Sequence, residues 1–420
     1  ILERGRLDRL GFSPVELPEV GAEQVRIELK AIGLNFRYIV DALGLFPGQA
    51  GTLGGDSAGV ITQVGAGVTD LAVGDRVFGL IEAVSESVVD ASRVVKIPDA
   101  CSFEEATSFP VAYLTVVHGL RDIAELKRGE KILIHSAAGG VGQIALQYAQ
   151  NMGAEAFVTA SPSKWDYLRS LGVADDHIAS SRDTLFEEKF KVVSGGMDVV
   201  LNSLAGELTD AGLSLMVDGG RFLEMGKTDI RDPESVAKNY PHVNYQPFDI
   251  MPLTVSKPAY VQEVLKEAAA RIDSGELKPL PYKCCPWEYA CGAFRYMAQG
   301  KHIGKVVLTL GDQELAEDVR IPLSETSSGQ FILNVSEASE SVPSSTHQRV
   351  EETLRNIQSW LESESQNQTS LLVVTQNAMA CVEDDSADAL AGAAVWGLIR
   401  SIRNEHPGRS IRLLDLEDDV

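Results

Sequence analysis

The feature that most narrows what this chain can fold into is Lys131-Ile-Leu-Ile-His-Ser-Ala-Ala-Gly-Gly-Val-Gly142, an apolar run that breaks into a glycine-rich turn and continues as an amphipathic helix over 141–152. A glycine-rich match alone is weak. A strand before it and a helix after it supply the context that gives it meaning. In such a turn Gly139 lets the main chain approach a pyrophosphate and Gly142 lets the helix lie close on the strand. The N–H groups of the turn and the first helical residues, from Ala138 through Gly140 and Val141, are then offered to an anion. Ala137 stands where the usual fingerprint has its first glycine. The plain alternative is a tight strand-to-helix turn with no ligand.

The rest of the chain from about Thr107 to Asp249 continues the pattern. Ala156-Phe-Val-Thr159, a helix over 163–170, Asp198-Val-Val-Leu-Asn202 and Gly220-Arg-Phe-Leu-Glu224 alternate apolar strands with helices, which argues for βαβ units on a parallel sheet. The strand after the glycine turn ends about 20 residues on, where it faces an adenosine ribose. There the chain reads Thr159-Ala-Ser-Pro-Ser-Lys164, with no carboxylate for the ribose hydroxyls but with Ser161, Ser163 and Lys164 able to donate to a 2′-phosphate. The expected dinucleotide is therefore NADPH rather than NADH. A solvated helix position is the bland reading of Lys164.

Before this region, short β runs punctuated by glycine (Val25-Arg-Ile-Glu-Leu-Lys30, Gly59-Val-Ile-Thr-Gln-Val64, Asp75-Arg-Val-Phe78) predict a compact β-rich barrel. After it, residues 260–274 place Val261, Val264, Leu265, Ala268 and Ile272 at helical spacing, and Lys305-Val-Val-Leu-Thr309 returns to a strand that rejoins the first domain. A polar linker rich in Ser, Glu and Pro follows over 311–345, with Phe331-Ile-Leu333 of strand type inside it. A helix over 349–362, the strand Leu371-Leu-Val-Val-Thr375, a helix over 387–403 and a strand over 411–416 make a separate short α/β fragment. At about 150 residues per domain, 420 residues fit two to three domains. The expected division is 1–110 with 256–310 as one domain, 111–255 as the second, 311–345 as linker and 346–420 as the last piece.

Composition excludes some partners. Sixty acidic against 37 basic residues leave a net charge of −23 with no segregated basic patch, which would repel nucleic acid. No apolar run approaches the roughly 20 residues of a membrane span. Five cysteines, Cys101, Cys284, Cys285, Cys291 and Cys381, are too few and too scattered for a disulfide framework, so a reducing cytoplasm is expected. The start Ile1-Leu-Glu-Arg-Gly lacks the regions of a signal peptide and reads as an excised segment that begins mid-strand.

Residues 1–310 resemble the enoyl reductase domain of modular polyketide synthases and animal-type fatty acid synthases, within the medium-chain dehydrogenase/reductase superfamily. The resemblance is carried in order by Gly33-Leu-Asn-Phe-Arg37, Ala42-Leu-Gly-Leu-Phe-Pro-Gly48, Val73-Gly-Asp-Arg-Val77, the turn from His135 to Gly142, Ser161-Pro-Ser-Lys-Trp165, His177-Ile-Ala-Ser-Ser-Arg182, Asn202-Ser-Leu-Ala-Gly206, Phe222-Leu-Glu-Met-Gly-Lys-Thr-Asp-Ile-Arg231 and His302-Ile-Gly-Lys-Val306. It implies an α/β protein in which a GroES-like, β-rich substrate domain wraps a Rossmann-type NADPH domain with the site in the cleft between them. Zinc-dependent members of the superfamily need Cys and His ligands and a four-cysteine lobe. Gly54-Gly-Asp-Ser57 stands where they carry a histidine, and adjacent Cys284 and Cys285 have the wrong spacing, so no metal is expected.

The reaction implied is hydride transfer from NADPH to the β-carbon of an α,β-enoyl thioester on an acyl carrier protein, with a proton to the α-carbon. The family's proton-donor candidates map to Lys227 and Asp249, of which Lys227 is preferred because an ammonium both donates and stabilises an enolate. A surface ion pair and a turn carboxylate are their bland readings. Arg182 is implied as a second 2′-phosphate partner. Asn35, Thr115, Leu204, Gly226, Gly304 and Lys305 are implied to line or approach the cofactor. Phe46 replaces a tyrosine that some members use to deliver the α-proton, which implies a 2R product from an α-methyl substrate. Tyr38 replaces the usual aspartate at the expected pocket entrance.

The last piece resembles the structural half of a synthase ketoreductase, a truncated Rossmann-like scaffold, through Leu371-Leu-Val-Val-Thr-Gln376, Ala391-Gly-Ala-Ala-Val-Trp-Gly-Leu-Ile-Arg400 and Glu405-His-Pro-Gly-Arg409. It has no glycine-rich turn and no Tyr-x-x-x-Lys pair, so no catalysis is assigned to it, and Trp396 reads as a core residue. Implied partners are the phosphopantetheine-linked enoyl chain, neighbouring ketoreductase and dehydratase domains, and a homodimer through the parent synthase. A stand-alone quinone or enal reductase, a cyclopropane-forming relative and an inactive scaffold remain open alternatives.

Overall fold

A computed structural model describes Arg4, Gly5, Leu7, Leu10, Gly11, residues 14–46, 54–311, Ile321, 330–334, 350–351, 353–358, 370–376, 390–405 and 411–416. The chain divides into two compact units, Ile1–Ile321 and Pro322–Val420.

The first unit opens with β1 (Gln24–Gly33), β2 (Asp56–Val64), β3 (Arg76–Gly79), β4 (Glu86–Asp90) and β5 (Val94–Lys96). Along β1 the residues Val25, Ile27 and Leu29 are buried and alternate with partly exposed ones, the period of two that puts every second side chain on one face. That face packs on Ala293, Phe294 and Met297 of the helix Ala290–Ala298.

Six strands follow: β6 (Lys131–Ile134), β7 (Glu155–Ala160), β8 (Ile178–Ser180), β9 (Met197–Asn202), β10 (Met216–Glu224) and β11 (Val243–Pro247). They form a parallel sheet in the order β11-β10-β9-β6-β7-β8. Both faces are buried, as the near-continuous apolar strands demand. Ile132, Ile134, Val158, Val199 and Leu201 meet Ile144, Ala145 and Ala149 of the helix Gly140–Met152 on one side. Leu133, Phe157, Val200 and Phe222 meet Phe186 and Phe190 of the helix Leu185–Ser194 on the other. Truncating one of these fully buried rings to alanine would cost about 3–5 kcal/mol.

The helix Pro258–Asp273 buries the expected face, Val261, Val264, Leu265, Ala268 and Ile272, in the same cluster as the helix Gly140–Met152. The chain then returns to the first sheet through β12 (Tyr282–Pro286) and β13 (Lys305–Thr309), giving the order β12-β13-β1-β2-β3-β5 with β4 on β1. Cys101, Cys284, Cys285 and Cys291 form no disulfide, while Cys381 lies outside the described residues.

The second unit carries β14 (Gln330–Asn334), β15 (Ser370–Gln376) and β16 (Ile411–Leu416), all parallel in that order, and the helix Leu390–Glu405. Leu371, Val373, Val395, Ile399 and Ile411 form its core. Trp396 is partly buried and donates its indole N–H to the Thr375 hydroxyl at 2.8 Å. Of the expected linker, 312–320, 322–329 and 335–345 lie outside the described residues, and the helix expected over 349–362 is helical at 350–351 and 353–358. Among the described residues no helix is long and apolar enough to cross a membrane.

Candidate functional site

In a parallel sheet every carboxyl end lies at one edge, and a crevice opens where the strand order reverses. Here the chain runs outward from β6 through β7 and β8, then crosses back to β9, β10 and β11. The turn after β6 therefore sits at the centre of the crevice, with two groups of loops on either side.

At that turn Gly139 is extended (φ −84°, ψ 175°) and precedes the helix Gly140–Met152. A Cβ on Gly142 would lie 2.6 Å from the Ala137 Cα and from the Ser136 carbonyl oxygen, so only glycine lets helix and turn close on each other. Gly139, Gly140 and Val141 stay partly exposed, while Ala138 and Gly142 are buried. The Gly304 N–H donates to the Ala138 carbonyl at 2.8 Å, and Gly304 bridges to Gly139, which binds the turn to the start of β13.

On the β7 and β8 side, Ser161, Lys164 and Arg182 come together. The Lys164 ammonium is buried and donates to the His302 carbonyl at 2.6 Å, and Arg182 donates to the Ser161 hydroxyl at 3.2 Å. Burial, reinforced by the Arg182 charge, pushes the Lys164 pKa down to about 8. Among the described residues no carboxylate lies within ion-pair distance of either cation. Two crowded cations and a hydroxyl without an acidic partner fit an anion, and they fit the 2′-phosphate of NADPH at the position where the second strand of such a sheet meets the ribose. The sequence did not single out His302. Its ring is buried, its Nδ1 has no hydrogen-bond partner, and burial with the Lys164 and Lys305 charges pushes its pKa down to about 4.

On the β9, β10 and β11 side, the Lys227 ammonium donates to the Phe248 carbonyl at 3.0 Å and pairs with Asp249 at 3.2 Å. Asp249 also faces Arg37 at 3.9 Å and accepts from the Met251 N–H at 2.9 Å. Leu204 is held at both main-chain groups by the Asn202 side-chain amide. Gly226 donates to the buried Glu224 carboxylate. Neither Asn202 nor Glu224 was singled out from the sequence.

From the first sheet, Lys305 and Asn35 meet at Asp56. The Lys305 ammonium reaches Asp56 at 2.5 Å and the Asn35 amide oxygen at 2.8 Å, the Asn35 amide donates to Asp56 at 2.8 Å, and the Val111 N–H donates to the other carboxylate oxygen at 2.7 Å. Lys305 is 3% exposed and Asp56 is fully buried, so this ion pair joins β13, β2 and the helix Pro110–Val116 as a structural junction beside the turn. Removing one partner would leave an uncompensated buried charge. Thr115 gives its hydroxyl proton to the Val111 carbonyl at 2.7 Å. Tyr38, expected at the pocket entrance, lies in the core of the first sheet with its hydroxyl on the Gly54 carbonyl. Phe46 is partly buried under the Arg37 guanidinium, 4.7 Å from its ring centroid.

Three family models match the chain. Residues 21–103 match the alcohol dehydrogenase GroES-like domain, 174–308 the zinc-binding dehydrogenase model, and 291–420 the Rossmann fold domain of the polyketide synthase extender module SpnB. Polyketide synthase GfsB of Streptomyces halstedii is 50% identical over 310 residues, which are 73% of this chain and 5% of that protein. The "Putative inactive phenolphthiocerol synthesis polyketide synthase type I Pks1" of Mycobacterium tuberculosis is 50% identical over 315 residues, 73% of this chain and 19% of that protein. The chain thus spans a small part of these relatives. The crystal structure of CurK enoyl reductase superposes with a TM-score of 0.69 at 40% identity, covering 74% of this chain and 97% of that one. With a GroES-like first sheet, a Rossmann sheet and a further Rossmann-like piece later in the sequence, the chain belongs to the enoyl reductases of polyketide synthases, within the medium-chain dehydrogenase/reductase superfamily.

Proposed function

We propose that residues 1–310 reduce an α,β-unsaturated acyl thioester carried on the phosphopantetheine arm of an acyl carrier protein, using NADPH, with hydride to the β-carbon and a proton to the α-carbon. The observation that carries the reading is the position of Lys227 at the carboxyl edge of the cofactor sheet. Its ammonium is oriented by the Phe248 carbonyl and Asp249, which leaves one of its three protons for a substrate.

When bound, NADPH supplies the hydride. Ser161, Lys164 and Arg182 would hold its 2′-phosphate, and the turn from Ala138 to Gly142 would admit its pyrophosphate to the helix N-terminus. Leu204, Gly226 and Gly304 would offer main-chain groups to the nicotinamide end. The Lys227 ammonium stabilises the negative charge that develops on the thioester oxygen and then gives its proton to the α-carbon. Partial exposure of Lys227 and Asp249, 20% and 34% of their side chains, lets water return that proton. The structural half of a ketoreductase is the proposed identity of 346–420, and the ketoreductase and dehydratase of the same cytoplasmic synthase are the proposed neighbours.

The test is incubation with NADPH and a crotonyl or 2-methylcrotonyl pantetheine thioester. Loss of the reduced-nicotinamide absorbance with a two-hydrogen mass gain in the thioester supports the reading. Absence of oxidation with every thioester offered sinks it and leaves a scaffold.

A further inference from the structure

Beneath Lys227 lies a buried polar pair that no part of the reaction above uses. Glu224 ends β10 and Asn202 ends the neighbouring β9, the two being paired in register across the sheet. Both are buried, Glu224 at 1% exposure and Asn202 at 0%. The Asn202 amide donates to one Glu224 carboxylate oxygen at 2.6 Å, and the Gly226 N–H donates to the other at 2.6 Å. A Cβ on Gly226 would stand 2.7 Å from that second oxygen, so the main chain at Gly226 rests directly on the carboxylate.

The orientation of Asn202 is fixed independently. Its carbonyl oxygen accepts from the Leu204 N–H at 3.1 Å and its NH₂ donates to the Leu204 carbonyl at 3.1 Å, so the amide can turn only donors toward Glu224. One buried pair therefore holds two loops, 203–206 through Asn202 and 225–227 through Glu224. The first loop is also tied to the chain just beyond the second, where the Asp229 carboxylate accepts from the Gly206 N–H at 2.6 Å and Arg231 donates to the Gly206 carbonyl at 2.9 Å. Burying a carboxylate is costly unless its oxygens are satisfied, and here both are satisfied by groups that belong to the reactive edge.

We propose that Glu224 is a positioning residue, whose ionised carboxylate with Asn202 sets the height and direction of the loop that presents the Lys227 ammonium to the substrate. The proposal deepens the reading of Lys227 as proton donor and rests on it. The side chain introduced by Glu224→Gln has one acceptor and one donor group, so it must point N–H against the Gly226 N–H or the Asn202 NH₂. Combining Asn202→Asp with Glu224→Gln reverses the polarity of the pair and restores a donor–acceptor match while keeping an acceptor for Gly226. The Leu204 carbonyl, which loses the Asn202 amide in that combination, keeps the Thr209 hydroxyl as a donor at 3.1 Å.

Charged and titratable groups around Glu224 are Lys227 and Asp229 on its own loop and Tyr245 on β11, with neutral Asn202 on β9. Burial pushes the Glu224 pKa up to about 7. A carboxyl whose pKa rises on folding binds its proton more tightly in the folded chain, so between the ordinary carboxyl range and pH 7 its contribution to stability falls as pH rises. Turnover should move the other way, because the neutral acid offers Asn202 and Gly226 one strong acceptor instead of two. A group that served stability alone would not show these opposed slopes.

The experiment compares the wild type with Glu224→Gln, Asn202→Asp and the double variant, using NADPH and crotonyl pantetheine across pH 5.5 to 8.5, a window of about 1.5 units either side of the carboxyl's midpoint. Glu224→Gln should lose turnover by about 10- to 100-fold, the cost of misplacing a reacting group by a fraction of an ångström to an ångström, with the KM for NADPH little changed. The double variant should recover about tenfold of a roughly 100-fold loss, and the wild-type rise in kcat through about pH 7 should vanish in Glu224→Gln. Amide hydrogen exchange at 225–227, which needs no turnover, should quicken in Glu224→Gln and slow again in the double variant. Unchanged exchange at these amides, or a turnover loss that the double variant does not relieve, would overturn the proposal. Failure of the wild type to reduce any thioester would instead strike the proton-donor reading, with the exchange measurement still deciding whether Glu224 holds the loop.

Discussion

The two sides of the crevice are built differently. On the β7 and β8 side the groups proposed to meet the ligand are side chains in the first turn after a strand: Ser161, Lys164 and Arg182 converge, and among the described residues no carboxylate pairs with either cation. On the β9, β10 and β11 side the group proposed to act is the partly buried Lys227, whose ammonium is held by the Phe248 carbonyl and Asp249 and whose neighbour Gly226 rests on the Glu224–Asn202 pair. Binding a phosphate needs charge in roughly the right place. Delivering a proton to one carbon needs position to a fraction of an ångström, and that position comes from buried layers of supporting groups.

The sharpest way to test this contrast is to remove Lys227. Lys227→Ala should lower kcat by about 10²- to 10⁴-fold, the usual contribution of a placed general acid, and should leave the KM for NADPH nearly unchanged because the phosphate contacts lie across the crevice. Single-turnover oxidation of bound NADPH, followed by nicotinamide absorbance, separates the chemical step from release. If affinity and turnover fell together, the two sides would not be the independent modules that their construction implies.

Much of the first side was legible in the sequence and much of the second was not. A glycine turn between a strand and a helix, and the run Ser161-Pro-Ser-Lys164 at the next strand end, announce themselves because the residue types proposed to meet the ligand stand together in a short stretch of sequence. The strand and helix pattern was legible for the same local reason, so that the apolar stripe of 260–274 reappears as the buried face of Pro258–Asp273. Asn202 and Glu224 reveal nothing of their pairing, since it depends on two strands 22 residues apart lying side by side. Asp56 was likewise read only as a place where a histidine is missing, while its partners Lys305 and Val111 arrive from 249 and 55 residues away. Tyr38 was read only as a departure from a family pattern, and nothing in the sequence signals that its ring packs in the first sheet's core with its hydroxyl on the Gly54 carbonyl.

The intermediate effect belongs to the phosphate side. Lys164→Glu should raise the KM for NADPH by about 10- to 100-fold, as expected for losing a charge-assisted contact and adding a like charge, with little change for NADH. Because the buried Lys164 ammonium has its pKa lowered to about 8, wild-type kcat/KM for NADPH should decline as pH rises through about 8, whereas the NADH profile stays flat there. The stability slope runs opposite. A lysine whose pKa falls on folding holds its proton less tightly in the folded chain, so its cost is greatest below pH 8 and fades as pH rises toward its ordinary range. Equal losses for the two dinucleotides would sink the 2′-phosphate assignment and make Lys164 a structural partner of the His302 carbonyl.

The smallest effect should come from Asp249. Its carboxylate touches Lys227 at 3.2 Å and Arg37 at 3.9 Å, yet 34% of the side chain is exposed, and ion pairs that water reaches are worth about 0–1 kcal/mol. Lys227 retains the Phe248 carbonyl when Asp249 is lost, so Asp249→Asn should lower kcat by no more than about fivefold, an amount matching that ion-pair range. High salt should shrink even this difference, since screening acts on pairs that solvent can reach. A loss as large as that of Lys227→Ala would move the proton donor from lysine to aspartate. Near-full turnover in Lys227→Ala, Asp249→Ala and their combination would remove both from the chemistry and reduce the second side of the crevice to a binding surface like the first.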